Sequence, residues 1–181
     1  MNRRLAQGID EVARAPERES ASVVVALGAN LGDRAEAIRA ALAELDRLPL
    51  TRVTAAAEPI ETVAVTLAGP DADAPAYLNT VALLQTRLAP SVLLDYLHAV
   101  EARHGRVRRE RWGDRTLDLD LIAYGDVRSD DPALLLPHPR AAERVFVLDP
   151  WVRIDPDAVL PGVGRVADLR AALEDAPGGT P

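Results

Sequence analysis

Residues 116–125 read TLDLDLIAYG, and the fold turns on how that stretch is placed. Leu117, Leu119 and Leu121 share one parity while Asp118 and Asp120 share the other. Period two is the signature of a strand with one face in a core, and Gly125 marks its end. Immediately upstream, Pro90 stands where a first-turn proline belongs, and Leu93, Leu94, Leu97 and Val100 line one side of a helix. Gly105 is placed to close that helix in a left-handed cap. YLNTVALLQTRL (77–88) predicts a strand, and TRVTAAAEPIET (51–62) a strand interrupted at Pro59. Further back, Asp33 with Glu36 three residues on opens a helix with Ile38, Leu42 and Leu45 on one face, and Pro49 closes it. SVVVAL (22–27), a β-branched run ending at Gly28, is a buried strand. The order is β-α-β-β-α-β. Two βαβ-like units with their helices on one face of an antiparallel sheet predict an α+β fold with a ferredoxin-like core. Downstream, LLLPHPR (134–140) and LDPWVRIDPD (148–157) predict proline-marked turns, and RVFVL (144–148) a short strand.

The chain has 181 residues, 48% hydrophobic and 27% charged, which predicts one globular domain. That domain is expected over 21–172, between tails at 1–20 and 173–181 that lack apolar periodicity. Without cysteine there are no disulfides, thiolate metal sites or Cys nucleophile. Lysine is absent too, so all 21 basic residues are arginine, excluding Schiff-base chemistry and a P-loop lysine. The three histidines, at 98, 104 and 138, are far apart. A net charge of −7 argues against a nucleic-acid coat protein. No apolar run approaches the roughly 20 residues of a membrane span, and the N-terminus lacks a signal-peptide core, so the cytoplasm is expected.

Asp118 and Asp120 carry the chemical information. At i and i+2 of a strand they project to one face, about 6.5–7 Å apart at the backbone. Asp is disfavoured in strands, and like charges on one face repel. One reading is the solvated face of an edge strand; the other is that a bound cation cancels the repulsion. Two carboxylates with no soft ligand nearby suit Mg²⁺ sharing its shell with substrate phosphates. Directly upstream, GRVRRERWGDR (105–115) places five arginines within ten residues. Alone, that cluster reads as a solvated basic loop or an RNA-binding arm. Beside an Asp pair it resembles half of a phosphoryl-transfer site, with Gly105 and Gly113 as hinges. ALGANLGDR (26–34) lacks the P-loop pattern, so Gly28 and Gly32 are assigned to turn geometry, with Asn30 and Asp33 shaping the turn and capping the helix.

RWGDRTLDLDLI (111–122) closely resembles the signature of the 6-hydroxymethyl-7,8-dihydropterin pyrophosphokinase family. ALGANLGDR (26–34), YLN (77–79) and LPHPRAAERVFVLDP (136–150) resemble its other motifs, in order, over about residues 23–157. The resemblance implies an α/β/α sandwich with a predominantly antiparallel sheet. It implies Mg²⁺-dependent transfer of diphosphate from ATP to the dihydropterin alcohol, releasing AMP, in folate biosynthesis. Asp118 and Asp120 would hold two Mg²⁺ ions, and Arg106 and Arg115 would neutralise charge developing on the phosphates. Arg108, Arg111, His138 and Arg144 match ATP-contacting positions, Glu101 a nucleotide-side carboxylate, and Trp112 would travel with the loop. The pterin would stack between Tyr77 and Phe146, read by Asn79, Thr62 and the backbone at Val63 and Val65. The implied partners are ATP and the pterin, without nucleic acid or membrane, and the chain is expected to be a monomer. It departs from the family's pattern at Asp114, where Pro is usual, in the stretch 63–76, at Ala133 and Leu135, where some members place polar ATP contacts, and at His98, where some have Gln. The competing readings are a ferredoxin-like RNA-binding module and a Mg²⁺-dependent phosphohydrolase.

Overall fold

The computed structural model describes residues 19–66, 69–71, 75–105 and 116–175, with backbone alone at 64–66 and 69–71. In chain order the main elements are β1 (Ala21–Ala29), α1 (Arg34–Asp46), β2 (Thr51–Ala56), β3 (Ile60–Thr62), β4 (Ala64–Thr66), β5 (Gly69–Asp71) and β6 (Tyr77–Thr86). There follow α2 (Pro90–Arg103), β7 (Asp118–Tyr124), β8 (Ser129–Asp131), β9 (Leu134–Leu136), a 3₁₀ turn (Ala141–Glu143), α3 (Val145–Ile154), β10 (Val159–Leu160), β11 (Gly164–Arg165) and α4 (Val166–Glu174).

The main sheet has the order β2-β6-β1-β7, with β3 also pairing β6, and every pair in it is antiparallel. β6 is inserted between β1 and β2, the split-βαβ arrangement expected of the ferredoxin-like order. The expected break at Pro59 divides β2 from β3. Around it Ala57 N–H donates to Val81 O at 3.0 Å, and buried Thr80 Oγ1 donates to Ala57 O at 2.7 Å. The expected caps are also present. Asp33 accepts from Glu36 N–H at 2.9 Å, Pro90 starts α2, and Gly105 takes φ +81° just past its end.

Strand alternation sorts the side chains into two layers. Val23, Val25, Leu27, Leu117, Leu119 and Leu121 pack beneath α1 and α2 with Leu45, Leu93, Leu97 and Val100. Val24, Ala26 and Val81 pack on the opposite face against Val147, Leu148 and Trp151 of α3 and Val166 of α4. A register shift between Val24 and Val25 lets Ile122 and Ala123 both join that second layer. The result is an α/β/α sandwich.

RVFVL, expected as a short strand, is instead the start of α3, and Pro150, expected in a turn, lies inside the helix. Val147, Leu148 and Trp151 recur at helical spacing and bury one face, which outweighs the β-branched composition. Pro150 has no N–H for the carbonyl four residues back, and its side chain is buried. Asp149 accepts from Arg153 within α3 and from Arg170 of α4, tying the two helices together. α4 runs through Glu174, past the expected domain edge at 172, and Leu173 packs on the second layer.

Carboxylates also cover outward-facing N–H groups of both outer strands. Asp46 accepts from Val53 N–H of β2 at 2.9 Å, and Glu101 of α2 accepts from Leu119 N–H of β7 at 2.8 Å. Both contacts blunt an edge that would otherwise template further strand pairing. Glu101 is 1% exposed, so Glu101→Ala leaves the Leu119 donor buried without this acceptor. That is expected to cost about 1–3 kcal/mol in urea unfolding, with Glu101→Gln costing less because it retains an acceptor.

α1 and α2 are clasped where α2 ends. Glu44 accepts from Arg103 Nε at 2.7 Å and contacts His104 Nε2 at 2.8 Å. Burial pushes the Glu44 carboxyl up, but hydrogen bonds from Arg103 and His104 outweigh it and hold the carboxyl below its ordinary value. A lowered carboxylate stabilises the fold above its unfolded pKa, and this is lost as pH falls through the folded value. The stability gap between the native chain and Glu44→Gln is therefore expected to be full at pH 7 and to close below the ordinary glutamate range. Thermal unfolding across pH 3–7 measures it.

Candidate active site

The cross-strand register builds the site. Gly28 of β1 pairs with Asn79 of β6 on one side and Asp118 of β7 on the other. One row along, Ala26 pairs with Val81 and Asp120. Directly paired residues share a face, so Asn79, Asp118 and Asp120 lie on the α3/α4 side of the sheet. A Cβ at Gly28 would stand 2.7 Å from Asn79 Oδ1. Gly28 therefore serves space within a strand, where turn geometry was expected; the turn falls at Gly32, with φ +66°.

On the β6 side, Thr62 pairs with Tyr77, and Asn79 Nδ2 donates to Thr62 Oγ1 at 2.7 Å. Asn79 is buried, its amide held by Thr62 and its oxygen turned toward Gly28. Tyr77, two residues before Asn79, shares its face and reaches within 4.0 Å of the Gly28 Cβ position. Val63 is half exposed beside this corner.

On the β7 side, Arg144 at the start of α3 donates from Nη1 to Asp120 Oδ2 at 2.6 Å. Its guanidinium also lies 5.5 Å from the centroid of the Phe146 ring. His138 donates its backbone N–H to Ile122 O at 2.8 Å, and its Nδ1 accepts from Arg140 N–H at 3.2 Å. The neutral ring thus carries its proton on Nε2, which lies 4.0 Å from Asp120 Oδ2. Burial pushes the His138 pKa down, with Asp120 opposing, so the ring is neutral at pH 7.

A cavity of about 210 Å³ opens beside Asp120 at the outer edge of β7. Leu94 and His98 of α2, Leu119 and Leu121 of β7, and the β8–β9 hairpin form its walls. The sequence did not single out Leu94 as a site residue, because its helical spacing marks it equally as core.

Thr62, Tyr77 and Asn79 are thus brought together, and so are Asp120, His138, Arg144 and Phe146, with Asp118 one residue pair from Asn79 across Gly28. Glu101, expected on the nucleotide side, is buried and accepts from the backbone N–H of Leu119, which lines the cavity beside Asp120. Arg106, Arg108, Arg111, Trp112 and Arg115, and the Val65 side chain, lie outside the described residues. Gly105 and Thr116, which bound that arginine segment, meet: the Gly105 Cβ position is 3.8 Å from Thr116 Oγ1. Both ends of the segment are therefore held close to the start of β7.

The donor chemistry fits Mg²⁺. Asp118 and Asp120 supply hard oxygens on one face, and Arg144 fixes the orientation of the second. Among the described residues no cluster of three or more His, Cys or acidic groups could close a complete protein cage.

Comparisons with known proteins point to one family. Residues 24–156, from β1 to just past α3, match the sequence profile of the 7,8-dihydro-6-hydroxymethylpterin-pyrophosphokinase (HPPK) family. A Pseudomonas aeruginosa protein named 2-amino-4-hydroxy-6-hydroxymethyldihydropteridine pyrophosphokinase is 44% identical over 155 residues, covering 83% of this chain and 90% of its own. A Haemophilus influenzae protein of the same name is 38% identical over 151 residues, covering 83% and 92%. The crystal structure of wild-type Plasmodium falciparum HPPK-DHPS, with pterin and p-hydroxybenzoate, matches the fold with a TM-score of 0.61 at 14% identity. That match covers 87% of this chain, which spans 44% of the other's length, and it bears on the fold alone. A profile match running from the first strand of the sheet to the helix behind the acidic pair, joined to two relatives matched over most of their length, places this chain in the HPPK family.

Proposed function

We propose that this chain is a Mg²⁺-dependent pyrophosphokinase that transfers diphosphate from ATP to 6-hydroxymethyl-7,8-dihydropterin, giving the dihydropterin diphosphate and AMP in folate biosynthesis. One observation carries the reading: the Asn79–Thr62 corner and the Asp118–Asp120 ledge share one sheet face with only Gly28 between them. A ring bound at the first places its hydroxymethyl group toward a triphosphate bound at the second, which is the proximity such a transfer requires.

Asp118 and Asp120 would hold the two Mg²⁺ ions, which when bound supply charge neutralisation on the triphosphate and polarisation of the β-phosphorus. Arg144 keeps the Asp120 carboxylate in one orientation. His138 offers its Nε2–H to a phosphate oxygen beside Asp120. The cavity at the β7 edge takes the adenine against apolar walls, with Ala133 and Leu135 leaving its polar edge to backbone groups. Asn79 presents a donor and an acceptor to the amide-like edge of the pterin, with Thr62 and the backbone at Val63 and Val65 reading its other polar groups. Tyr77 and Phe146 stack on the ring faces. Arg106 and Arg115 would neutralise charge developing on the phosphates, Arg108 and Arg111 would contact ATP, and Trp112 would help seal the site. The pterin hydroxyl oxygen forms the new bond to the β-phosphorus as its proton passes to solvent, the bond from that phosphorus to the oxygen bridging it to the α-phosphorus breaks, and AMP leaves with that oxygen.

The blunted edges at Val53 and Leu119 support a monomer. Among the described residues no helix is long and apolar enough to cross a membrane. The test is incubation with ATP, Mg²⁺ and the dihydropterin alcohol. AMP that appears only when the pterin is present supports transfer. Phosphate release without pterin replaces this reading with a hydrolase, and RNA binding without turnover with a binding module.

A further inference from the structure

The last residue of the ALGANLGDR segment has no part in the site as described, yet its side chain reaches the strand pair beside it. Arg34 Nη1 donates to Ala76 O at 2.6 Å and lies 2.9 Å from Glu61 Oε1. Glu61 immediately precedes Thr62, and Ala76 immediately precedes Tyr77. One guanidinium nitrogen therefore bridges the residues just before both members of the Thr62–Tyr77 pair.

That pair needs outside support. β3 has three residues, and its partners in β6 are Asn79, Leu78 and Tyr77, so Thr62–Tyr77 is the terminal rung of a three-rung ladder. Ladders this short are marginal on their own and fray from the end. Arg34 is the first residue of α1, and α1 is anchored in its own cluster through Ala37 and Ile38 packed with Ala29 and Leu78. Asp33 caps the same turn. The guanidinium thus ties the frayed end of the ladder to a rigid helix.

The energetics separate this role from a general stabilising one. Glu61 is 61% exposed on its side chain, so the ion pair adds little to global stability. The charge-assisted bond to the Ala76 carbonyl is directional, and it fixes a backbone position next to Tyr77.

We infer that Arg34 is a positioning residue for the pterin: it holds the Thr62–Tyr77 rung in register so that Thr62, Tyr77 and Asn79 present one preformed surface. The inference rests on the reading that this corner binds the pterin. Arg34→Ala is expected to raise the pterin Kd about tenfold, because a small misplacement of positioning groups is costly, while KM for ATP stays within about twofold. Arg34→Lys, which retains a charge but only a point donor, is expected to fall between. Glu61→Gln, which leaves the carbonyl bond in place, is expected to give a smaller rise of the same kind. Pterin fluorescence titration and ATP-dependent AMP release read the two substrates separately, with thermal unfolding alongside, and Asn79→Ala is the control. If Asn79→Ala weakens pterin binding but Arg34→Ala and Glu61→Gln do not, the clamp is wrong and the pterin corner stands. If Asn79→Ala leaves pterin binding unchanged, the corner itself is misassigned. A fall in melting temperature with equal losses for both substrates assigns Arg34 to the fold and overturns the inference.

Discussion

Asp118→Ala is expected to lower kcat by at least about 10³-fold while leaving pterin affinity within about threefold. The size follows from what the position supplies: metal-assisted neutralisation at a transferring phosphoryl group is worth several kcal/mol, and each 1.36 kcal/mol is tenfold in rate. The selectivity follows from the register. Asp118 stands on the outer strand β7, and Asn79 stands two strands away across Gly28, so removing the carboxylate leaves the Asn79–Thr62 bond intact. Asp118→Asn keeps the volume but loses the charge, and is expected to lose most of the rate as well. Both variants are expected to stay folded, because Asp118 opens β7 partly exposed and packs in neither apolar layer. AMP release under saturating substrates, with pterin titration and thermal unfolding in parallel, checks all three. A variant that keeps more than about a tenth of the rate removes Asp118 from the metal ledge, since a charge-neutralising ligand is not dispensable at that level.

The core of the fold was legible because each of its strands and helices leaves a local mark. β7 is an outer strand with one apolar face, so its alternation survives in TLDLDL. α1 announces itself by Asp33 and Glu36, and the β2–β3 break by Pro59. α3 was not legible, because RVFVL carries β-branched and aromatic residues whose strand preference is decided by what they pack against. Only burial of Val147, Leu148 and Trp151 on the sheet selects the helix. Site residues divide in the same way. Asp118 and Asp120 stand out because charge is unusual in a strand. The pairing of Arg144 with Asp120 joins residues with no local relation, and only the fold reveals it. The contact of Glu101 with Leu119 is hidden for a related reason: it ends on a backbone N–H of an outer strand, which no side-chain pattern records. The cavity beside Asp120 exists where α2 meets the β8–β9 hairpin, and neither element announces the other.

Gly28→Ala is the second large effect, and it turns on contact across strands. The added methyl would lie 2.7 Å from Asn79 Oδ1 and 3.9 Å from Asn79 Cγ, closer at the oxygen than real Cβ contacts come. β1 has no freedom to retreat, because Gly28 is paired with Asn79 on one side and Asp118 on the other, inside a buried strand. The amide of Asn79 is therefore the part that moves, and in swinging away it gives up its 2.7 Å bond to Thr62. Overpacking of this kind costs typically about 1–3 kcal/mol, less the roughly 0.5–1 kcal/mol that Ala recovers over Gly in backbone entropy. The larger effect is on binding: a site built to hydrogen-bond its ligand loses heavily when the partner is misaligned, so pterin affinity is expected to fall by at least about tenfold with KM for ATP little changed. The double variant Gly28→Ala with Asn79→Ala separates cause from consequence. If the clash is the cause, the second substitution recovers stability lost to the first, giving a non-additive cycle, while pterin affinity stays low. Additive stabilities, or full pterin affinity in Gly28→Ala alone, show that the strand accommodates the methyl by another route and that close approach at Gly28 is not what orients Asn79.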